Sequence, residues 1–208
     1  MREILLSAVI AAAAYLLGSV STGLIIAGRS GVNLREAGSK STGASNVLRV
    51  MGLKKGAATF LGDALKAVLA CLLGSLLLPG AAFGIPGFGV MLAGLFAIIG
   101  HNWPVFYGFR GGKGVACSAA IIFFANPLWG GIAIAICVVV IAVTRFISLG
   151  SMTMLFTYAA LMCAARPGQW FVWLWVILLF VMCVYRHRAN ISRLAKGTEN
   201  KIGQKSKP

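Results

Sequence analysis

Acidic side chains are almost absent from this sequence. Its 208 residues include four of them, Glu3, Glu36, Asp63 and Glu199. Carboxylates are the usual protein ligands of Mg²⁺, so this scarcity argues against metal-dependent lipid phosphotransferases and against pumps driven by nucleoside triphosphates. The five cysteines lie in apolar stretches without the spacing of metal ligands and are expected to be packing residues. We predict neither a metal site nor a cofactor.

Catalytic bases are scarce as well. The two histidines are His101 and His187. Neither begins the His-x-x-x-x-Asp pair of thioester-using glycerolipid acyltransferases, because Phe106 and Ser192 stand where the aspartate belongs. No Ser–His–Asp assembly is apparent either. The sequence therefore indicates a site that binds anions and has no strong base of its own.

Charge of either sign is sparse, and apolar residues are abundant. Charged residues make up 11% of the chain and hydrophobic residues 59%, whereas a soluble domain has roughly a quarter charged residues. The 19 Lys and Arg residues produce a formal net charge of +15. In so apolar a chain, cations that flank a membrane explain this excess, and nucleic-acid binding is not predicted.

Seven apolar stretches are candidates for membrane spans of about 20 residues. They are Ile4–Ala27, Ala57–Leu78, Val90–Phe106, Val115–Ala125, Leu128–Thr144, Leu149–Ala165 and Trp170–Tyr185. The first is too long for a cleaved signal sequence and is expected to be retained. The fourth is short and needs extension through Gly112 and Lys113, or burial among its neighbours.

The distribution of cations predicts the orientation. With seven crossings and the N-terminus outside, 16 of the 19 Lys and Arg residues lie on the cytoplasmic side. Six crossings would leave the basic loop 28–56 outside, which the positive-inside rule disfavours. We predict an all-α, polytopic, single-domain membrane protein of about seven helices. Its cytoplasmic segments are the loops 28–56, 108–114 and 145–150 and the tail 186–208, whose residues from Glu199 onward are expected to be frayed.

The first two polar clusters lie in cytoplasmic loops. Residues 38–46 are rich in Gly, Ser and Thr and are followed by Arg49, which suits an anion, although a solvated turn explains them too. Residues 108–114 contain Gly-Gly-Lys-Gly directly before an apolar helix, where helix-terminal N–H groups favour an anion. The spacing differs from that of a Walker P-loop.

Two further clusters and a charged pair complete the polar residues. Residues 145–151 are uninformative alone, and residues 185–194 are either a basic flank of the last span or an interfacial helix with His187 and Asn190 on one face. Within the spans, Asp63 and Lys66 are spaced to pair on one helix face. His101 could pack, bond a carbonyl or take part in chemistry.

Taken together, these segments resemble the acyl-phosphate:glycerol-3-phosphate acyltransferase family of bacterial membranes, over almost the whole chain. The shared segments are Leu17-Gly18-Ser19, the loop 34–49, Asp63 with Lys66, residues 100–106 and 109–116, residues 145–148 and residues 185–199. The resemblance implies transfer of a fatty acyl group from acyl phosphate to the 1-hydroxyl of glycerol 3-phosphate, with lysophosphatidic acid and phosphate as products. It also implies a substrate-assisted mechanism without an acyl-enzyme, the first step of phospholipid synthesis, and a location in the bacterial inner membrane.

The resemblance also implies the site residues. The catalytic set is Ser39, Arg49, Lys113, His187 and Asn190, and the substrate-binding set is Gly111, Gly112, Gly114, Ser148, Asn46 and His101. Lys113 and the loop amides are expected to bind one phosphate, while Arg49 and Ser39 take the other phosphate or the developing oxyanion. His187 and Asn190 are expected to orient glycerol. All four clusters are expected to converge into one pocket.

The chain departs from the family pattern Gly-Ser-Gly-Asn-x-Gly-Ala-Thr-Asn in its first loop. Lys40, Ser41 and Ser45 replace the second Gly, the first Asn and the Thr, which leaves the role of position 41 open. In the second span, Ala67 replaces a Gly after the lysine, a change expected to affect packing alone.

Two other functions remain open from the residues. A transporter or channel for phosphorylated metabolites also suits basic, glycine-rich loops, whereas a purely structural membrane protein does not explain the Gly-Gly-Lys-Gly segment. If the second loop is an anion site, Lys113→Ala weakens anion binding more than Lys205→Ala does. The partners predicted are glycerol 3-phosphate, acyl phosphate and membrane lipid. The oligomeric state is unspecified, with a monomer as one option.

Overall fold

A computed structural model describes residues 1–203 and confirms an all-α membrane protein. The chain divides into two structural units, residues 1–125 and the residues from Asn126 onward. The first unit contains α1 (Arg2–Ser19), α2 (Thr22–Gly28), α3 (Ala44–Met51), α4 (Leu53–Leu77), the two-residue strands β1 (Ala81–Ala82) and β2 (Ile85–Pro86), α5 (Phe88–Asn102), a 3₁₀ turn (Val105–Tyr107) and α6 (Val115–Ala125). The second contains α7 (Pro127–Thr144), α8 (Ile147–Ala165), α9 (Trp170–Arg186) and α10 (Arg188–Ala195). The assignment of the whole chain to one domain stays a prediction.

The surface of α4 shows why this fold suits lipid. Its exposed face carries five leucines at helical spacing, Leu61, Leu65, Leu69, Leu72 and Leu76. The opposite face is buried and carries small residues together with Asp63 and Lys66. A helix of a soluble protein has the reverse arrangement. Since intramembrane charges face the interior of a bundle, this pattern is typical of a membrane-spanning helix.

The predicted spans all correspond to helices, but they differ in length. Five stretches within residues 1–203 are long and apolar enough to cross a membrane, and the bent pair α9 and α10 raises this number to six. The remaining stretch, α6, begins at Val115 and has 11 residues, about 16 Å at 1.5 Å per residue. It is not extended through Gly112 and Lys113, and it packs instead against α4 and α5. A seventh crossing and the predicted orientation therefore stay predictions.

The first predicted span, Ile4–Ala27, is interrupted. Helix α1 ends at Ser19, Val20 takes an extended conformation, and α2 restarts with Ser21 as its N-cap. A carbonyl at such a break needs a partner from elsewhere in the bundle. The Nζ atom of Lys66 donates a hydrogen bond to the carbonyl oxygen of Val20. The buried lysine thus supplies the hydrogen bond that the carbonyl at the helix break requires.

Glycines allow α1 and α5 to approach closely in the first unit. A Cβ atom on Gly18 would overlap the carbonyl oxygen of Ala97, and one on Gly100 would overlap that of Tyr15. Small residues at such crossings are typical of helix packing in membranes. The close crossing sets the position of the C-terminal end of α5, where His101 and Asn102 lie.

Candidate functional site

Asn46 organises the first polar loop. Its side chain is fully buried. The Nδ2 atom donates to the carbonyl oxygens of Ala37 (3.0 Å), Ser41 (2.8 Å) and Leu34 (3.4 Å), and the Oδ1 atom accepts from the backbone N–H of Ser39 (2.8 Å). The structure therefore places Asn46 inside the loop as its scaffold, with half-buried Ser39 held at its edge. A direct contact of Asn46 with substrate stays a prediction.

The backbone explains one departure from the family pattern. Lys40 replaces a glycine and has a φ of 58°, in the left-handed region. Glycine adopts this region without steric cost, whereas other residues are strained there. The Lys40 side chain is exposed, so its charge does not compensate for the strain through a buried contact.

We expect Lys40→Gly to stabilise the protein by about 1 kcal/mol, because the relieved strain exceeds the added entropy of the unfolded chain. Thermal unfolding in detergent measures this change. Lys54→Gly is the matched control, since Lys54 lies in the first turn of α4 and glycine there costs about 0.5–1 kcal/mol. Destabilisation by both substitutions would contradict the strain argument.

Arg35 connects the two polar loops of the first unit. Its NH2 atom donates to the carbonyl oxygen of Tyr107 at 2.6 Å and contacts that of Arg110 at 3.4 Å. These contacts join residues more than 70 positions apart in sequence. The loop after α2 and the loop before α6 therefore lie at the same end of the first unit, as the predicted convergence requires of these two clusters.

The glycine-rich segment is pressed against the end of α5. Gly112 donates its N–H to the carbonyl oxygen of His101 at 3.1 Å, and a Cβ atom on Gly112 would overlap Nε2 of His101. Gly114 has a φ of 74°, and its carbonyl oxygen accepts the N–H of Ser118 at 2.7 Å. It therefore precedes α6 directly, where the first-turn N–H groups lack acceptors within the helix and favour an anion. Half-buried Lys113 lies between these glycines.

Asn102 adds a buried polar group beside the glycine-rich segment. Its side chain is fully buried, and a Cβ atom on Gly114 would lie 3.1 Å from its Oδ1. Neither Oδ1 nor Nδ2 of Asn102 forms a hydrogen bond with any residue among 1–203. Burial of an amide without partners is costly. The hydrogen-bonding capacity of Asn102 is thus a second feature, independent of the helix terminus, that suits a polar ligand.

A cluster of three ionisable side chains, Asp63, Lys66 and His101, lies next to the glycine-rich segment. Lys66 Nζ is 3.0 Å from Asp63 Oδ1, which confirms the predicted pair, and 3.0 Å from Nδ1 of His101. All three side chains are buried. The His101 ring thus contacts the Lys66 ammonium on one side and the backbone of Gly112 on the other.

In the second unit, Glu199 accepts hydrogen bonds from two of the predicted site residues, Ser148 and Asn190. Its Oε1 accepts from Ser148 Oγ (2.9 Å) and from Asn190 Nδ2 (2.6 Å), and its Oε2 accepts from Arg193 Nε (2.7 Å). Ser148 lies in the first turn of α8 and Asn190 lies in α10, so this carboxylate connects the third and fourth clusters. Fraying from Glu199 onward is therefore wrong for Glu199 itself, and residues 204–208 lie outside the described part of the chain.

The environment of Glu199 perturbs its ionisation. Burial alone raises its pKa, but hydrogen bonds from Asn190, Arg193 and Ser148, together with the charge of Arg193, outweigh burial and lower the pKa below the ordinary value of about 4.5. A carboxyl whose pKa is depressed on folding stabilises the protein above its unfolded pKa. That stabilisation is lost as the pH falls through the folded pKa.

We therefore expect stability to fall on acidification below about pH 4.5, with part of the fall due to Glu199. Glu199→Gln is expected to lower the unfolding temperature at pH 7 and to flatten this dependence, because the charge that binds Arg193 is removed. Thermal unfolding across the acidic range measures both effects. Glu36→Gln, at an exposed loop position, is the control, and identical pH profiles of the two variants would contradict the role given to Glu199.

His187 is held at the junction of α9 and α10, which are bent by 61°. This confirms a helix at residues 188–195 rather than a mere basic flank. The ring is buried, and its Nδ1 lies 2.8 Å from the carbonyl oxygen of Cys183. A carbonyl oxygen can only accept, so Nδ1 carries the proton and Nε2 of the neutral ring is an acceptor.

Two residues with clear structural roles were absent from the predicted site, Arg35 and Glu199. Both stand in segments that carry the family resemblance, and this was the signal that could have indicated them. In the first unit, Ser39 lies in the loop before α3, Asn46 and Arg49 lie on α3, and Lys113 with its glycines lies in the loop before α6. Ser148, His187 and Asn190 lie in the second unit, where Glu199 binds two of them. Among residues 1–203, no three His, Cys, Asp or Glu side chains cluster as metal ligands do.

Comparison with known proteins covers nearly all of the chain. Residues 8–197 match the family model for glycerol-3-phosphate acyltransferase. The chain is 42% identical to the glycerol-3-phosphate acyltransferase of Clostridioides difficile strain 630, over 98% of both chains. It is 41% identical to that of Thermoanaerobacter sp. strain X514, over 93% of this chain and 94% of the relative.

Solved structures agree with these relatives. The crystal structure of PlsY (YgiH), an integral membrane glycerol 3-phosphate acyltransferase, in its glycerol 3-phosphate form superposes with a TM-score of 0.86 and 34% identity, over 95% of this chain and 96% of that chain. The lysophosphatidic acid form superposes with a TM-score of 0.83 and 33% identity, over 95% of each chain.

Proposed function

Because this chain belongs to the glycerol-3-phosphate acyltransferase family, we propose that it moves a fatty acyl group from an acyl phosphate to the 1-hydroxyl of glycerol 3-phosphate. The protein is a membrane-embedded acyltransferase that acts on glycerol 3-phosphate. The resemblance read from its motifs is thereby confirmed, and the transporter interpretation is no longer needed. Acyl phosphate as the donor and the assignment of residues to steps are the proposed parts.

The observation that carries the proposal is the likeness, over nearly the whole chain, to an acyltransferase solved in its glycerol 3-phosphate form. The scarcity of bases in this chain supports an acyl phosphate as donor. A mixed anhydride of a carboxylic and a phosphoric acid is already activated. Alignment and charge stabilisation therefore supply much of the rate acceleration, and a protein nucleophile is not required.

The proposed reaction balances without a cofactor. The 1-hydroxyl oxygen of glycerol 3-phosphate attacks the carbonyl carbon of the acyl phosphate and forms the ester bond. The bond between that carbon and the phosphate oxygen breaks, and the leaving phosphate takes the hydroxyl proton. The products are lysophosphatidic acid and inorganic phosphate, which makes the reaction an entry step of phospholipid synthesis.

In the first unit, the glycine-rich segment 111–114 is proposed to bind a substrate phosphate. The first-turn N–H groups of α6, the Lys113 ammonium and the buried amide of Asn102 are three features that suit an anion there. Arg49 and Ser39 are proposed to bind the second phosphate or the developing oxyanion. Arg35 supports both loops through the Tyr107 carbonyl.

In the second unit, His187 and Asn190 are proposed to orient glycerol. With its proton on Nδ1, the His187 ring has an acceptor at Nε2 for a substrate hydroxyl. Asn190 is oriented by the carboxylate of Glu199, which also binds Ser148. We propose that this acceptor binds the 2-hydroxyl of glycerol 3-phosphate, so that the proton of the attacking 1-hydroxyl stays available to the phosphate.

The test supplies purified protein in detergent with labelled acyl phosphate and glycerol 3-phosphate, in the presence of EDTA and without ATP. Lysophosphatidate is expected on thin-layer analysis. Acyl-CoA and acyl carrier protein serve as alternative donors in parallel reactions. Lysophosphatidate from either of these, but none from acyl phosphate, would keep the acyltransferase and overturn the donor, whereas no product from any donor by folded protein would overturn the function.

The protein is a multi-pass membrane protein, and we propose the inner membrane with both basic loops of the first unit on the cytoplasmic side. The bond from Arg35 to the Tyr107 carbonyl supports a shared side for the two loops. Cysteines introduced at exposed Ser30 and Phe109 should react with an impermeant reagent in inverted vesicles and not in intact spheroplasts. Labelling of the two from opposite sides would exclude this arrangement.

A further inference from the structure

The Lys66 ammonium lies at the centre of a buried cluster that it forms with Asp63 and His101. Lys66 Nζ contacts Asp63 Oδ1 at 3.0 Å, His101 Nδ1 at 3.0 Å and the carbonyl oxygen of Val20. An ammonium has three N–H donors and no acceptor. The contacts with Val20 and His101 are hydrogen bonds, whereas the Asp63 carboxylate pairs with the ammonium by charge, without hydrogen-bond geometry. The Val20 acceptor is available because the first span breaks at that residue.

This arrangement determines where the proton of His101 lies. Since the Lys66 ammonium can only donate, Nδ1 of His101 must accept, and the neutral ring then carries its proton on Nε2. Asp63 Oδ1 is 3.8 Å from Nδ1, too far for a hydrogen bond that would hold a proton there.

The protonated edge of the ring faces the glycine-rich segment. Nε2 of His101 lies where a Cβ atom of Gly112 would be, and the N–H of Gly112 donates to the carbonyl oxygen of the same histidine. The imidazole therefore presents an N–H group, rather than a lone pair, to the backbone of the segment 111–114. A lone pair at this place would repel an anion held by that segment, whereas an N–H group attracts it.

We propose that Lys66, held by Asp63 and Val20, is a positioning residue that keeps His101 in its Nε2–H tautomer and thereby sets the phosphate affinity of the segment 111–114. The proposal rests on the proposed function of that segment as a phosphate site. It assigns the intramembrane ion pair a role in substrate binding that a purely structural pair does not have. Lys66 and Asp63 act through His101 and do not touch substrate.

The tautomer is measured directly on the full-length protein in detergent with ¹⁵N-labelled histidine. The chain has two histidines, so the spectrum contains two imidazoles, and His187→Gln assigns them. His101 is expected to have its proton on Nε2 and His187 on Nδ1. A proton on Nδ1 of His101, or on both of its nitrogens, would overturn the proposal without any assay of activity.

The role is tested with the double variant Asp63→Leu/Lys66→Met, which removes the pair together because a lone buried charge would threaten folding. The His101 resonances are expected to lose the pure Nε2–H pattern while those of His187 stay unchanged. The KM for one of the two phosphate substrates is expected to rise roughly tenfold or more, as the loss of a hydrogen bond to a charged group predicts, with a smaller change in kcat.

Lys55→Met is the matched control, because Lys55 lies on the same helix, is exposed and binds Ser30 instead of His101. It is expected to keep both KM values and both tautomers. Unchanged KM values in the double variant, or a fall in kcat alone, would overturn the role of the pair. Acylation of glycerol 3-phosphate by the wild type would still stand in either case, whereas its absence in the wild type would count against the proposed function itself.

Discussion

Replacing Asn46 with aspartate is expected to destabilise the protein by about 3–5 kcal/mol and to abolish acylation of glycerol 3-phosphate. Aspartate keeps the acceptor for the Ser39 N–H, but it puts a carboxylate oxygen in the place of Nδ2. That oxygen would face the carbonyl oxygens of Ala37 and Ser41, at 3.0 and 2.8 Å from the present nitrogen. The site is fully buried, so water cannot screen the repulsion.

The change is measured by thermal unfolding and by lysophosphatidate formation. Asn33→Asp is the matched control, because Asn33 is exposed in the same loop and its Oδ1 accepts from the Arg35 N–H at 3.1 Å. Aspartate preserves that acceptor, so stability and activity should change little. Equal effects of the two substitutions would contradict the view that Asn46 is the scaffold of the first loop.

Replacing Lys113 with alanine is expected to lower kcat/KM by roughly 10²–10³-fold, the usual effect of removing one donor aimed at developing negative charge. Lys113 lies between Gly112 and Gly114 at the start of α6, where its ammonium adds to the first-turn N–H groups. Steady-state kinetics with each substrate varied in turn would also identify the substrate whose phosphate the segment binds.

The control for Lys113 must be a cation that precedes no anion site. Lys205 lies outside the described residues, and Lys54→Ala is the better comparison, since Lys54 is exposed in the first turn of α4. We expect kcat/KM of Lys54→Ala to stay within about twofold of the wild type, as is usual for a surface substitution. A similar loss of kcat/KM in both variants would contradict the anion site and would leave membrane orientation as the role of the basic loops.

Features that depend on neighbours along the chain were predictable. Apolar stretches long enough to span a bilayer indicated the helices, and the predicted spans Val115–Ala125 and Leu128–Thr144 correspond to the separate helices α6 and α7. The i, i+3 spacing of Asp63 and Lys66 predicted their ion pair, which is present at 3.0 Å. These features follow from helical periodicity and from the length of the lipid core, which act on every residue in the same way.

Backbone details were harder to predict. The interruption at Val20 lies inside an apolar run with no proline to indicate it, and the extended conformation there is stabilised by Lys66 from another helix. A lysine at position 40 does not indicate the left-handed backbone conformation found there. The family pattern, which has glycine at this position, is the signal that indicates it.

The sequence by itself determined that this chain is a helical membrane protein with basic, glycine-rich loops, because hydrophobicity and helical period are local properties of consecutive residues. The tertiary structure decided which loops meet. Arg35 reaches the Tyr107 carbonyl, Glu199 binds both Ser148 and Asn190, and Lys66 contacts Nδ1 of His101. Each of these contacts requires a donor atom and an acceptor atom to approach to about 3 Å. Helix packing brings these residues together from distant parts of the sequence, and no pattern of consecutive residues indicates that approach.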